Sequence, residues 1–155
     1  MDKIASFTVD HDLLEEGVYI SRIDGDITTF DLRTRKPNKG DYMDNITMHS
    51  VEHMFATLVR NSNIGENVIY FGPMGCRTGF YLLTRDVNED VVFEEIKKVL
   101  KAILDENTMY GQTRKECGNY LELDLGKAKA ECERYLSILK AKGEKNDFTY
   151  KGEKI

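Results

Sequence analysis

The sequence predicts a single domain of the α+β class, in which strands and helices share one core. The chain has 155 residues, of which 41% are hydrophobic and 32% are charged, and this suits one sizeable core. The pair Asp24-Gly25 lies between two strand-like runs, as is typical of a β-hairpin. Three later segments repeat apolar residues at helical spacing.

The strands are predicted from alternation and turn residues. Residues 17–33 should form the hairpin, and the preceding residues 6–16 have no clear pattern. Residues 66–71 and 78–84 are rich in β-branched and aromatic side chains. The run Gly72-Pro73-Met74-Gly75 between them predicts a sharp turn.

Each helix is predicted from a capping residue followed by an apolar stripe. Asp44 or Thr47 can cap the first helix, Asn88 the second, and Asp124 starts the third. The first helix should bury a face of about 100° against a sheet. That face contains Met48, Val51, Phe55, Leu58 and Val59.

The end of the chain is predicted to be flexible, because the residues after 140 are mostly Lys, Glu, Gly and Asn. We therefore expect the folded domain to span residues 1–145 and a flexible tail to span residues 146–155. No internal repeat or second-domain boundary is apparent.

Charge and composition exclude several classes of function. The formal net charge is −5 and there is no basic block, so nucleic acid is not expected as a partner. No apolar run approaches the roughly 20 residues that cross a bilayer, and the first residues lack a signal core. Three cysteines, an odd number, favour reduced thiols. We therefore expect a cytoplasmic protein that contacts no membrane.

The first helix contains the most informative motif, His49-Ser50-Val51-Glu52-His53. Histidines four residues apart point nearly the same way from a helix, so both imidazoles could bind one metal ion. Glu52 would stand beside them as a group that transfers protons. The alternatives are a solvated helix face and the H-x-x-E-H signature of inverted-motif zinc peptidases.

A third metal ligand could come from a cysteine. Cys76 follows the predicted turn beside Arg77, a cation that could favour the thiolate, and Cys117 lies in the irregular stretch 107–119. Cys132 falls on the apolar stripe of the third helix and should be a core residue. Two histidines and one cysteine would suit a borderline-soft divalent metal such as zinc or iron(II). Residue patterns alone do not distinguish Cys76 from Cys117.

Five blocks of sequence, in order across residues 4–140, carry a family resemblance. They are Ser6-Phe7 with Asp10-His11, Phe30 to Arg33 with Pro37-Asn38, His49 to His53, Gly72 to Gly79, and Glu116 to Tyr120. Together they closely resemble S-ribosylhomocysteine lyase, the LuxS autoinducer-2 synthase family. The chain departs from the common family pattern at residues 34–36 and 70–72.

The resemblance implies an antiparallel sheet with helices on one side, a two-layer sandwich, in a homodimer with active sites at the interface. One divalent metal per subunit, Fe2+ in the cell and Zn2+ or Co2+ as purified, would be bound by His49, His53 and Cys117. Cys76 and Glu52 would be the acid/base pair. The residues expected to bind the substrate or shape its pocket are Ser6, His11, Arg33 and Arg60.

The resemblance also implies the reaction. The thioether of S-ribosyl-L-homocysteine would be cleaved to L-homocysteine and 4,5-dihydroxy-2,3-pentanedione, the autoinducer-2 precursor. Two rivals belong to other classes: an inverted-motif zinc peptidase and a non-catalytic metal-stabilised dimer module.

Overall fold

A computed structural model describes residues 1–151 of the chain. Its described part is a single α+β domain with one four-stranded antiparallel sheet and three α-helices. The strands are β1 (Gly17–Asp24), β2 (Ile27–Arg33), β3 (Val68–Pro73) and β4 (Gly79–Arg85). The helices are α1 (Asn45–Arg60), α2 (Glu89–Asp105) and α3 (Leu125–Ala141), and short 3-10 turns span Ala5–Phe7 and Gly65–Asn67. The α+β class is confirmed.

The predicted hairpin is present as β1 and β2, with its turn shifted by one residue. Asp24 pairs with Ile27, so Gly25 and Asp26 form the two-residue loop, not Asp24 and Gly25. Gly25 has a φ of +63°, a left-handed conformation that glycine adopts without strain. The sheet order is β1-β2-β4-β3, so β1 and β3 are its edges.

The turn between β3 and β4 also lies further along the chain than predicted. Gly72 and Pro73 belong to β3, and the connection runs from residue 74 to residue 78. Pro73 can end a strand at the edge of the sheet, where its missing N–H removes no internal ladder bond. As a result, Cys76 lies in the middle of the turn and is exposed.

Helix α1 begins where the sequence predicts. Asp44 is its N-cap, and the Asp44 side chain accepts a hydrogen bond of 2.7 Å from the backbone N–H of Thr47. The predicted apolar face packs into the core, with Val51, Phe55 and Val59 buried and Met48 and Leu58 partly buried. The histidine stripe lies outside this face, as expected.

Helices α2 and α3 are also capped as predicted, by Asn88 and Asp124. Cys132 on α3 is 1% exposed and belongs to the main apolar cluster. Burial raises its pKa well above the usual value of a thiol. Cys132 is therefore a core residue, as the sequence indicates.

The first residues of the expected flexible tail contact the sheet, and the flexibility of the tail itself stays a prediction. Residues 146–151 pack along β1: the Ile20 N–H donates to the carbonyl of Phe148 at 2.9 Å, and Tyr150 is buried. The composition of residues 140–147 is polar, but two aromatic side chains beyond it supply the apolar area that fixes the segment. Residues 152–155, also part of the expected tail, lie outside the described residues.

Within residues 1–151, no helix has the length and apolar character required to cross a membrane.

Candidate functional site

Helix α1 brings His49 and His53 together on consecutive turns. Their Nε2 atoms are 3.1 Å apart, and the two rings are nearly perpendicular, at 84°. Both side chains are partly buried. The i, i+4 spacing therefore places two imidazole nitrogens at one point, as the motif predicts.

Cys117 joins this pair from the loop between α2 and α3. Its Sγ lies 3.4 Å from His49 Nε2, and its backbone N–H donates to the carbonyl of Thr113. The three ligand atoms of His49, His53 and Cys117 all lie within 4.8 Å of one another. Cys76 is not part of this group, so the structure resolves which cysteine lies beside the histidines.

Two of the three distances in the group are close to those of a tetrahedral metal site. With metal–nitrogen bonds of about 2.05 Å and metal–sulfur bonds of about 2.3 Å, neighbouring nitrogens are about 3.4 Å apart and nitrogen and sulfur about 3.6 Å apart. The corresponding separations here, 3.1 Å and 3.4 Å, are only slightly shorter. These three residues could therefore hold one divalent ion and leave a fourth position open.

Surrounding groups fix the orientation of both rings. His53 Nδ1 lies 2.9 Å from the carbonyl oxygen of Tyr110, so this nitrogen carries the proton and Nε2 keeps a lone pair for a metal. His49 Nδ1 lies 3.7 Å from a carboxylate oxygen of Glu122. Gly111 has a φ of +67°, and a Cβ there would be only 2.8 Å from His53 Nδ1. Close approach of this loop to His53 therefore requires glycine.

The three residues His49, His53 and Cys117 are called the metal group below. Glu52 lies beside this group. Its Oε2 is 3.7 Å from His53 Nε2, and its side chain is 32% exposed. The carboxylate is thus near the ligand atoms yet open to a bound molecule. A carboxylate at this position could exchange protons with a molecule held by the three ligand residues.

Four other predicted site residues line a separate cavity of about 350 Å³. Ser6, His11, Arg33 and Cys76 share its wall with residues of the N-terminal segment, β3 and β4. His11 is oriented by its Nδ1, which lies 2.9 Å from the carbonyl oxygen of Val9. Among the described residues that line this cavity, none belongs to the metal group. We call it the thiol pocket.

The cation beside Cys76 is Arg33, not Arg77 as the sequence suggested. Arg33 Nη1 lies 3.9 Å from Cys76 Sγ, whereas the Arg77 guanidinium stacks over the ring of Tyr42 at 5.9 Å. Arg77 has a φ of +62°, in the left-handed region of the backbone. Thr78 Oγ1 is 3.1 Å from Cys76 Sγ and adds a second polar contact.

Arg33 belongs to a buried ion pair with Asp31. Desolvation by burial lowers the pKa of Arg33, but attraction by Asp31 and the hydrogen bonds between them outweigh it, so the pKa is raised. The guanidinium therefore keeps its charge at 3% exposure. A fixed positive charge at this place can stabilise an anion in the thiol pocket.

Arg60 joins neither group. Its guanidinium donates hydrogen bonds to the backbone carbonyls of Val68, at 3.5 Å, and Ile69, at 2.9 Å. These contacts tie the end of α1 to β3. The contact with the substrate that the resemblance implies for Arg60 stays a prediction.

Sequence reasoning missed several residues that shape the site. Asp31 could have been found from the sequence. Residues two apart on a strand point to the same face, so Asp31 and Arg33 are neighbours on one face of β2. Tyr110 acts through its backbone, which the side-chain pattern does not reveal. Thr78 gives no sequence signal that distinguishes it from the other threonines of the chain.

Comparison with known proteins gives a consistent result. A family model described as S-ribosylhomocysteinase (LuxS) matches residues 4–146. An S-ribosylhomocysteine lyase of Finegoldia magna is 43% identical over 145 residues, covering 90% of this chain and 92% of the relative. The protein of the same name from Borreliella afzelii is 42% identical over 159 residues, covering 94% and 98%. That of Clostridium acetobutylicum is 42% identical over 146 residues, covering 90% and 92%. The chain therefore belongs to the S-ribosylhomocysteinase (LuxS) family.

Proposed function

We propose that this protein is a metal-dependent S-ribosylhomocysteine lyase, which cleaves S-ribosyl-L-homocysteine to L-homocysteine and 4,5-dihydroxy-2,3-pentanedione, the autoinducer-2 precursor. The observation that carries the proposal is the His49-His53-Cys117 group with Glu52 beside it. It occurs in a chain that shares 41–43% identity with proteins named for this activity.

His49, His53 and Cys117 would bind the metal through two nitrogens and one sulfur. The ion, Fe2+ in the cell and Zn2+ or Co2+ in purified samples, would polarise the sugar oxygens and acidify the adjacent C–H bonds. The geometry of this donor set, with edges of 3.1 and 3.4 Å, supports this assignment.

Cys76 would act as the base that moves protons between sugar carbons. As a thiolate it removes a proton from one carbon and returns it to the neighbouring carbon, so that the carbonyl shifts from C1 to C2 and then to C3. Arg33 Nη1 lies 3.9 Å from the sulfur and places a positive charge beside it. Ser6 and His11 line the same pocket and would hold the sugar in register with Cys76.

Glu52 would complete the reaction. It exchanges protons with the substrate oxygens during the isomerisations and assists the final elimination. Once the carbonyl is at C3, loss of the C4 proton allows the C5–S bond to break, and homocysteine leaves as the thiol. The oxidation state of the metal does not change in this scheme.

We also propose that the active form is a homodimer, in which the thiol pocket of one protomer faces the metal group of the other. Two observations support it. The metal group and the thiol pocket share no lining residue. Phe7, which lines the pocket, is exposed, as are Ile4 and Tyr70, which line an adjoining cavity. The helices would then form one layer and the sheet the second, with the partner on the remaining face. A mixture of Cys76→Ala and Cys117→Ala protomers should then regain activity that neither variant has alone.

A cytoplasmic location fits the three cysteines, which are all free thiols. The zinc peptidase alternative is weaker, because the ligand that joins the histidines is a cysteine, whereas inverted-motif peptidases generally use a glutamate. A non-catalytic metal module would not account for the thiol pocket.

The decisive experiment is to incubate the metal-loaded protein with S-ribosylhomocysteine and to measure free thiol. Thiol release with first-order dependence on enzyme concentration is expected. Cleavage of casein serves as the counter-test for a peptidase. An absence of thiol release from the metal-loaded protein would refute the lyase proposal.

A further inference from the structure

A buried ion pair lies directly behind Cys76. Arg33 donates two hydrogen bonds to Asp31, from Nε to Oδ1 at 3.1 Å and from Nη2 to Oδ2 at 2.6 Å. The remaining nitrogen, Nη1, donates to Thr78 Oγ1 at 2.8 Å and lies 3.9 Å from Cys76 Sγ. The two-point contact with Asp31 therefore sets the direction in which Arg33 presents its charge to the sulfur.

Asp31 is in turn held by Tyr150. The Tyr150 hydroxyl donates to Asp31 Oδ2 at 2.8 Å, and its ring stacks on that of Tyr19 with 5.0 Å between centroids. Tyr150 is 4% exposed and Asp31 is 1% exposed, so water does not replace this bond. Burial, followed by the charge of Asp31, raises the pKa of Tyr150 far above neutral pH, and the hydroxyl remains a donor.

The segment that carries Tyr150 is anchored on both sides of the sheet edge. The Asn146 side-chain amide donates to the carbonyl of Val18 at 2.9 Å. The Phe148 ring meets Phe30 in the main core, with 6.0 Å between centroids. Tyr150 then lies against Tyr19, so the segment passes over the edge of β1. The family match ends at residue 146, and Tyr150 therefore lies beyond the matched residues.

We propose that Tyr150 is a positioning residue for the reaction at Cys76. Its hydroxyl fixes the carboxylate of Asp31, and Asp31 fixes the guanidinium of Arg33 beside the sulfur. The consequence for turnover rests on the proposed lyase function, but the effect on the sulfur does not. Without the hydroxyl, the carboxylate can rotate away from the two-point contact, and Arg33 Nη1 then spends less time near Cys76.

The test is Tyr150→Phe in the full-length, metal-loaded protein. The phenyl ring keeps the stacking on Tyr19, so only the hydroxyl is lost. The rate of iodoacetamide alkylation at Cys76, measured by mass spectrometry of its peptide, should fall by about two- to tenfold, the range that one net hydrogen bond corresponds to. The kcat for S-ribosylhomocysteine should fall by a similar factor, while KM stays within about twofold of the wild-type value.

Tyr19→Phe is the matched control. It removes a hydroxyl from the neighbouring ring, where the hydroxyl donates to the carbonyl of Glu15 and not to Asp31. This variant should alkylate at the wild-type rate. Equal slowing in both variants would overturn the proposal, because it would show general loosening of the segment.

Asn146→Ala is a second variant that weakens the anchoring of the segment and keeps the Tyr150 hydroxyl. It should slow alkylation in the same direction by a smaller factor, and it provides the test if Tyr150→Phe fails to fold. Wild-type alkylation rates in every folded variant of Tyr150 and Asn146 would refute the proposal. If the wild-type protein releases no thiol from the substrate, the proposed function fails, and the alkylation rates still decide the role of Tyr150.

Discussion

Replacing Gly111 by alanine should weaken metal binding through one specific contact. Gly111 has a φ of +67°, and the added Cβ would lie 2.8 Å from His53 Nδ1 and 3.1 Å from His53 Cε1. Ordinary contact begins at 3.4 Å, so the ring or the loop must move by 3.4 − 2.8 = 0.6 Å. The hydrogen bond between His53 Nδ1 and the Tyr110 carbonyl, now 2.9 Å, cannot keep its geometry after this shift.

The expected magnitude has two parts. The left-handed backbone costs an alanine roughly 1–2 kcal/mol of folding stability. Loss of the group that orients a metal-binding histidine reduces metal affinity by about 10- to 100-fold. That reduction corresponds to about 1.4–2.7 kcal/mol of binding free energy. The backbone strain lowers the free energy of unfolding, whereas the loss of histidine orientation lowers metal affinity. The two effects can therefore be measured separately.

Gly40→Ala provides a matched control. Gly40 also has a positive φ, of +80°, but an added Cβ would meet no atom within 4 Å. This variant should lose stability to a similar extent and bind metal as the wild type does. Both variants would be studied by thermal unfolding without metal and by zinc titration against a chelator of known affinity. A folded Gly111→Ala protein with wild-type zinc affinity would refute the argument that Gly111 is required by His53.

Three further predictions concern single side chains. Cys117→Ala should lose the metal, whereas Cys76→Ala should keep it and lose turnover; elemental analysis and thiol release distinguish the two, and the opposite pattern would exchange their roles. Glu52→Gln should keep fold and metal but stall the elimination, so near-normal homocysteine release from this variant would contradict its role. Asp44 has its pKa lowered to about 2 by hydrogen bonds from the first turn of α1 and by Lys127. Because this pKa lies below the value in the unfolded chain, near 3.8, the stabilisation is present above about pH 4 and is lost as the pH falls towards 2. Asp44→Asn should therefore cost less than about 1 kcal/mol at pH 7, since the carboxylate is half exposed, and progressively less as the pH falls through 2. Urea unfolding of the metal-free protein across this pH range measures it, and a constant difference would exclude the charge as the cause.

Local sequence signals were sufficient for most of the fold. Asp44, Asn88 and Asp124 cap the helices that they were expected to cap, because N-capping depends on a side chain and the backbone N–H groups two or three residues away. Turn positions were less accurate. Both the hairpin loop at Gly25 and the connection at Cys76 are displaced along the chain, since pairing with neighbouring strands, which is a long-range property, determines where each strand ends.

The metal pair was determined by the sequence, because His49 and His53 are four residues apart on one helix. Its third member was not, because Cys117 is 68 residues from His49 along the chain and only the packed loop brings the sulfur to 3.4 Å. Residue patterns did not decide whether Cys76 or Cys117 is the third ligand. The family resemblance implied Cys117, and the structure places Cys117 beside the two histidines.

The tertiary structure alone decided the surroundings of Cys76. From the sequence, the adjacent Arg77 was the expected cation, but in the structure the Arg77 guanidinium lies over the ring of Tyr42. Strand pairing instead brings Arg33 to the sulfur, and the end of the chain returns over β1 to hold Asp31 through Tyr150. Along the chain, Arg33 is 43 residues from Cys76, and Asp31 is 119 residues from Tyr150. Contacts between residues so far apart leave no local sequence pattern, because they form only when the sheet has formed and its edge is covered.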